Sequence, residues 1–402
     1  MKVLVLNCGS SSIKYQFIDT VEKTALAKGL VERIGMSSAV LSHSRYDGDT
    51  IKIVGEILDH QIAVEYVLGV MLSKNHGVID NKNDIEAVGH RVVHGGETFT
   101  GSVLITDEVI QVLQDNIELA PLHNPPNLKG IQAVKRILPD TPQVGVFDTA
   151  FHTKMPPKAF LYGIPYELYK KYKIRKYGFH GTSHLYVSNK AAEMLGKKIE
   201  DLKIVTAHLG NGCSMAAIDK GISVDTTMGF TPLEGLLMGT RSGDLDPSLI
   251  LYIMGKEGLS LNEAGTLLNK HSGLIGISGE SSDMREIQKA MSEGHKRSTY
   301  AFDIFSYRIK KYLGAYAAAM GGLDTFIFTG GIGENSAEVR EEVCKNLEFL
   351  GIELDLEKNR NKDLIISTDN SKVKVLRIPT NEELVIAMDT SHIVEEIQVK
   401  AN

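Results

Sequence analysis

Short runs of β-branched and other apolar residues alternate along the chain with longer stretches whose apolar positions recur at helical spacing. The runs predict strands at residues 2–7, 13–19, 86–93, 143–148, 203–209, 214–219, 325–329 and 373–379. The longer stretches predict helices at 107–118, 126–138, 182–195, 261–269, 297–320 and 382–399. Strands interleaved with helices are the pattern of an α/β protein. At 402 residues the chain exceeds what one core usually holds, so two domains are expected. Continuity is weakest at Met155-Pro156-Pro157. The expected domains are therefore 1–150 and 151–381, with the closing helix 382–402 available to complete the first. The helix at 297–320 carries four alanines between Ala315 and Ala319, which suits either ordinary burial or close packing at a subunit interface.

Composition narrows the class. The chain is 43% hydrophobic and 23% charged, as in ordinary globular proteins. A net charge of −6 gives no support for a general nucleic-acid surface, so any phosphate site must be a local cluster. Met1-Lys2-Val3-Leu4-Val5-Leu6-Asn7 is too short an apolar run for a signal peptide and reads as a buried strand. No run approaches the roughly 20 apolar residues of a membrane helix. Three scattered cysteines, Cys8, Cys213 and Cys344, fit a reducing compartment better than a disulfide framework. A cytoplasmic enzyme that binds neither membrane nor nucleic acid is the expectation.

Two segments about 200 residues apart share one plan. Residues 3–7 are an apolar strand, followed by the polar turn Cys8-Gly9-Ser10-Ser11-Ser12 and a returning strand. Residues 204–209 lead likewise through Gly210-Asn211-Gly212 into a second returning strand. A third glycine-rich loop, Gly330-Gly331-Ile332-Gly333-Glu334-Asn335, follows the strand at 325–329. Glycine lets backbone N–H groups close on phosphate oxygens, and Ser and Asn add donors without bulk. One such turn is commonplace; three after apolar strands point to phosphate chemistry. Neither the P-loop string nor a Gly-x-Gly-x-x-Gly after the first strand is present, which disfavours a P-loop NTPase or a Rossmann dehydrogenase.

Five further segments are dense in functional side chains: His90-Arg91-Val92-Val93-His94-Gly95-Gly96, Pro121-Leu122-His123-Asn124, Val146-Phe147-Asp148-Thr149-Ala150-Phe151-His152, Phe179-His180-Gly181-Thr182-Ser183-His184 and Gly239-Thr240-Arg241-Ser242-Gly243-Asp244. With the hairpins, these strings resemble the acetate kinase (acetokinase) family of the actin, sugar-kinase and chaperone-ATPase superfamily, from Asn7 to Glu382. The resemblance implies two related domains of the actin-like, ribonuclease H-like type with a nucleotide cleft between them. It implies Mg²⁺-dependent transfer of the ATP γ-phosphoryl group to acetate, giving acetyl phosphate and ADP, in a homodimer; Mn²⁺ is the alternative metal. Asn7 and Glu382 would serve the metal, the first member of the Glu382-Glu383 doublet being favoured. Lys14 would reach the nucleotide phosphates, Arg91 would clamp the acceptor carboxylate and His123 would lie nearby. Asp148, His180 and Arg241 would be catalytic. ATP would lie against His208, Leu209, Gly210, Asn211, Gly212, Asp283, Met284, Arg285, Gly331, Ile332, Gly333, Glu334 and Asn335. Val93, Leu122, Phe179 and Pro232 would enclose the acyl tail.

The chemistry is consistent with that cast. A carboxylate acceptor, with a pKa of about 4–5, is already ionised at neutral pH and needs no general base. The obstacle is repulsion between two anions, which planar, permanently charged Arg side chains and a divalent cation relieve. Asp148 is thus expected to orient Arg or metal-bound water and not to abstract a proton. Plainer readings stand beside these. His180 and His184, four residues apart, have zinc-ligand spacing but lack the accompanying Glu, so His184 is expected to be a hydrogen-bonding support. Asp283 alone reads as a helix start, and Cys8 and Cys213 as small apolar fillers. The rivals are a propionate or other short-chain acyl kinase, for which one methylene discriminates by only about 1–3 kcal/mol, and a non-catalytic actin-like nucleotide switch. Val93 favours a short tail over a longer one.

Overall fold

The computed structural model describes residues 1–121 and 123–401. The chain forms two units, Met1–Phe151 with Asn381–Asn402, and His152–Thr380.

The first unit is built on an eight-stranded sheet in the order β5-β4-β3-β2-β1-β6-β8-β7. Its strands are β1 (Lys2–Cys8), β2 (Ser12–Asp19), β3 (Thr24–Glu32), β4 (Ala39–Arg45), β5 (Thr50–Gly55), β6 (Ala87–Val92), β7 (Val103–Leu104) and β8 (Gln143–Phe147). β1 and β2 form the expected hairpin, with Asn7 directly opposite Lys14. β6 lies parallel to β1, and β8 parallel to β6. One face of the sheet packs on the helices His60–Met71 and Asn124–Ile137 through a core that includes Leu4, Leu6, Tyr15, Val64, Val67 and Val134. The other face receives the helix Glu382–Ala401, whose Ile386, Ala387 and Val394 bury against Val3, Val5, Val144 and Val146. Val3 and Val5 face one way and Leu4 and Leu6 the other, the period of two that a strand imposes. The near-continuous apolar run of β1 is thereby explained: both faces are covered.

The second unit carries β9 (Lys203–Leu209), β10 (Cys213–Asp219), β11 (Ile222–Thr226), β12 (Thr325–Thr329) and β13 (Lys374–Arg377) in the order β11-β10-β9-β12-β13. β9 and β10 are an antiparallel hairpin, β12 is parallel to β9 and β13 parallel to β12. The series β3-β2-β1-β6-β8 of the first unit therefore has the same order and strand directions as β11-β10-β9-β12-β13. The duplication extends over five strands, well beyond the two hairpin turns visible in the sequence.

Several expectations are corrected. The third glycine-rich segment is a short helix, Gly330–Asn335, and not an open loop. Gly330 makes the turn with φ +76°, and a Cβ there would lie 2.8–3.0 Å from the Leu209 backbone, so only glycine fits. The helix starting at Asp107 ends at Asp115, and residues Ile117–Leu119 form a 3₁₀ turn. Strands β3 to β5 and the helix His60–Met71 had no counterpart among the expected elements. Among the described residues no helix is long and apolar enough to cross a membrane.

Candidate active site

In the first unit the carboxyl ends of β6 and β8 bring Arg91 and Asp148 together. Arg91 donates from Nε to Asp148 Oδ1 (3.0 Å) and from Nη2 to Asp148 Oδ2 (2.6 Å), a two-pronged pair on a buried carboxylate. Glu382, in the first turn of the C-terminal helix, places Oε2 3.8 Å from Arg91 Nε. Its neighbour Glu383 pairs with Lys14 from β2. Burial works to lower the Arg91 pKa, but Asp148, Glu382 and Glu383 overcome it and hold the guanidinium above its ordinary value. The Glu382 carboxyl is pushed up, first by burial and then by Asp148 and Glu383, against the pull of Arg91 and Lys14.

These groups suit a hard divalent cation. Three carboxylates, Asp148, Glu382 and Glu383, face two cations, Arg91 and Lys14, so negative charge is in excess around Glu382. Among the described residues no set of three or more His, Cys, Asp or Glu side chains forms a metal cage. A Mg²⁺ ion typically takes one or two carboxylates together with phosphate oxygens and water. Asn7 ends the same strand face, opposite Lys14.

Two buried supports in this unit escaped the sequence reading. Asn127 accepts from Val93 N–H (3.1 Å) and donates to the Cys8 carbonyl (2.9 Å), fastening the ends of β6 and β1 to one side chain. His60 Nε2 lies 2.7 Å from the Gly9 carbonyl and braces the Gly/Ser turn. No local pattern marks either residue; their partners are distant in sequence and lie on the backbone. Cys8 is a buried filler, its thiol pushed up to about 12 by burial, seated where Gly130 leaves room: a Cβ there would lie 2.4 Å from Sγ. His123 is half-buried at the start of the helix Asn124–Ile137, and Val93 is half-buried. Leu122 lies outside the described residues.

In the second unit a cavity of about 740 Å³ is lined by Gly210, Asn211, Asp283, Met284, Arg285, Gly331, Ile332 and Asn335, all expected from the sequence. Ser282, Gln288, Ser336 and Lys362 line it as well and were not anticipated. Leu209 is fully buried. Glu334 accepts from the Gly330 and Thr380 N–H groups (3.0 and 3.2 Å), holding the turn. Gly333 packs on the Phe328 and Ala207 backbone. Asp283 caps the helix Met284–Ser292 by accepting from Arg285 N–H, and its carboxylate also pairs with the Arg285 side chain.

His180 sits at the start of the helix Gly181–Leu195 in the left-handed region, φ +56°, a strained conformation for a residue with a side chain. Hydrogen bonding orders its ring. His184 is fully buried, and burial, reinforced by His152 and His208, holds it well below the ordinary histidine pKa, so it is neutral. Its Nδ1 lies 2.7 Å from Thr206 Oγ1 and its Nε2 2.8 Å from Ser214 Oγ, which also lies 2.9 Å from His180 Nδ1. This leaves His180 Nε2 directed at the position beside Gly212, where Arg241 Nη1 also arrives: a Cβ on Gly212 would be 3.7 Å from the one and 3.4 Å from the other. His208 stacks on His180 with centroids 4.2 Å apart and lies 2.8 Å from Ser183 Oγ. The zinc spacing of His180 and His184 is thus used for a hydrogen-bonded support.

Arg241 donates to the Pro232 carbonyl (3.0 Å) and touches Met238 Sδ. Burial lowers its pKa, and no carboxylate offsets this. Unlike Arg91, it makes no ion pair with a carboxylate among the described residues. Phe179 is buried, and its carbonyl accepts from His152 Nε2.

Comparison with known proteins decides the lineage. The Acetokinase family profile matches residues 2–388. The chain belongs to the acetokinase family. The acetate kinase of Thermoanaerobacterium thermosaccharolyticum is 58% identical over 401 residues, covering 99% of this chain and 100% of its own. The Porphyromonas gingivalis acetate kinase crystal structure is 49% identical with a TM-score of 0.95, covering 98% of this chain and 99% of its own. A Francisella tularensis propionate kinase structure is 43% identical with a TM-score of 0.92 over the same shares. The two-sheet architecture is accordingly the actin-like ATPase fold of acetokinases.

Proposed function

We propose that this chain is an acetate kinase, transferring the ATP γ-phosphoryl group to acetate in a reversible, in-line reaction. The observation that carries the reading is the contrast between its two arginines. Arg91 is held rigid by Asp148 on the carboxylate-rich face of the first unit, while Arg241 in the second is half-buried with no carboxylate partner among the described residues. Arg91, with His123 nearby, receives the acceptor carboxylate; Arg241 and His180 Nε2 stabilise the equatorial oxygens of the transferring phosphoryl group. Asp148 accepts two hydrogen bonds from Arg91, so its role is orientation. The acceptor enters already ionised, and no proton has to leave it. Lys14 reaches the phosphates, and the cavity containing Asn211, Asp283 and Gly331 takes the nucleoside end of ATP. Asn7 and Glu382 would hold Mg²⁺ or Mn²⁺, which would supply positive charge to offset that of the phosphates. Val93 limits the length of the acyl tail.

Propionate is the second reading, supported by the propionate kinase relative and by the small energy of one methylene. The protein is placed in the cytoplasm, as a homodimer. Exposed Leu249, Leu251, Tyr252, Leu261, Tyr300, Ile304 and Tyr307 support a subunit contact on the second unit; light scattering tests it. The activity itself is tested by measuring Mg-ATP consumption with and without acetate. Strict dependence on the carboxylate supports the kinase; equal hydrolysis without it favours a nucleotide switch.

A further inference from the structure

Arg241 has no carboxylate to aim it, so its direction depends on the loop that carries it. That loop, residues 235–244, is closed at its base. Asp244 accepts from Gly235 N–H at Oδ1 (2.8 Å), and Asp244 N–H donates to the Gly235 carbonyl (2.9 Å). Gly235 (φ +105°) and Gly243 (φ +64°) allow this approach; a Cβ on Gly243 would lie 2.3 Å from the Leu236 carbonyl oxygen. Inside the closure Met238 N–H donates to the Arg241 carbonyl (3.2 Å), and Arg241 Nη1 reaches back to Pro232. The second carboxylate oxygen, Oδ2, is used outside the loop. Tyr312, in the C-terminal half of the helix Lys296–Met320, donates its hydroxyl to it at 2.5 Å, and Arg308 of the same helix lies 3.8 Å away.

We infer that Asp244 and Tyr312 are positioning residues for phosphoryl transfer. Asp244 closes the Arg241 loop, and Tyr312 fixes that closure to the long helix, so that the guanidinium stands ready without a carboxylate that would compete with phosphate. An Asp–Arg pair such as Arg91–Asp148 would hold the side chain as firmly but would lower its pull on an incoming anion. Backbone clamping from a distance avoids that competition. The inference rests on Arg241 acting in the proposed kinase reaction.

The test is a double-mutant cycle of Tyr312→Phe and Arg241→Ala, with turnover and ATP KM measured for each variant. Tyr312→Phe removes one oxygen atom and keeps the ring. It is expected to lower kcat about 10- to 100-fold, the scale of a small misplacement of a reacting group, with ATP KM within about twofold of the parent. In the Arg241→Ala background the same change is expected to cost less than about twofold, because the residue it positions is gone. Asp244→Asn, which keeps an acceptor for Gly235 N–H, is expected to retain more activity than Asp244→Ala. Equal losses from Tyr312→Phe in both backgrounds, or a parent-like kcat for Tyr312→Phe, overturn the inference. A parent protein without carboxylate-dependent ATP consumption overturns the kinase reading instead.

Discussion

Arg91 and Asp148 are joined by two hydrogen bonds of 3.0 and 2.6 Å from the ends of neighbouring parallel strands. The Asp148 carboxylate is buried, so removing Arg91 strips it of two charge-assisted hydrogen bonds and leaves it beside Glu382 uncompensated. Arg91→Ala is expected to destabilise the first unit by about 3–5 kcal/mol as well as abolish acceptor binding. Asp148→Asn keeps the shape but loses the charge, and turnover and metal dependence should both change markedly. Near-normal values of both for a folded Asp148→Asn protein would remove the orienting role assigned to Asp148.

Arg241 presents the opposite case. With a carbonyl and a thioether as its contacts, Arg241→Ala should leave the melting temperature nearly unchanged while lowering turnover on the order of 10²–10⁵, the range for lost transition-state donors. A loss below about tenfold would exclude it from catalysis.

Much of this site was legible in the strings around Arg91, Asp148, His180 and Arg241, because dense polar chemistry at strand ends has few structural uses. The hairpins were legible for a similar reason: an apolar run, a Gly/Ser turn and an alternating strand occur together. β3 to β5 were not, since their outward positions are polar or half-exposed, as in Thr50–Gly55, and no apolar run like that of β1 marks them. The helix Gly330–Asn335 was hidden by its own glycines, which read locally as a loop and fold against β9 only through tertiary contact. Asn127 carried no signal because its partners, the Val93 N–H and the Cys8 carbonyl, are distant in sequence and lie on the backbone.

Asn127 gives a prediction of its own. Asn127→Leu fills similar volume but deprives Val93 N–H and the Cys8 carbonyl of their partner. A loss of about 1–3 kcal/mol in urea unfolding is expected, with a raised acetate KM because Val93 shifts. An unchanged midpoint and KM would show that the bridge is dispensable.

Acid should destabilise the first unit through His90. Burial lowers its pKa to about 4. With the Gln143 amide oriented so that its oxygen accepts from Lys135 N–H (3.3 Å) and its nitrogen donates to the Ile131 carbonyl (3.2 Å), that nitrogen also donates to His90 Nε2, which must stay unprotonated. The unfolded chain takes up this proton near pH 6.5 and the folded chain only near pH 4. Between these values the unfolded state binds more protons, so stability falls as pH falls, by roughly 3 kcal/mol in all. His90→Gln should flatten the decline in unfolding free energy between pH 6.5 and 4. An equally steep decline in that variant would contradict the assignment.

The account's central claim is that a carboxylate, not water, receives the phosphoryl group. Hydroxylamine trapping of the acyl phosphate, with Mg-ATP and acetate, propionate or butyrate in turn, tests it most directly. Acyl hydroxamate should form in proportion to ADP, fastest with acetate, more slowly with propionate and least with butyrate. ADP released without hydroxamate would contradict the account.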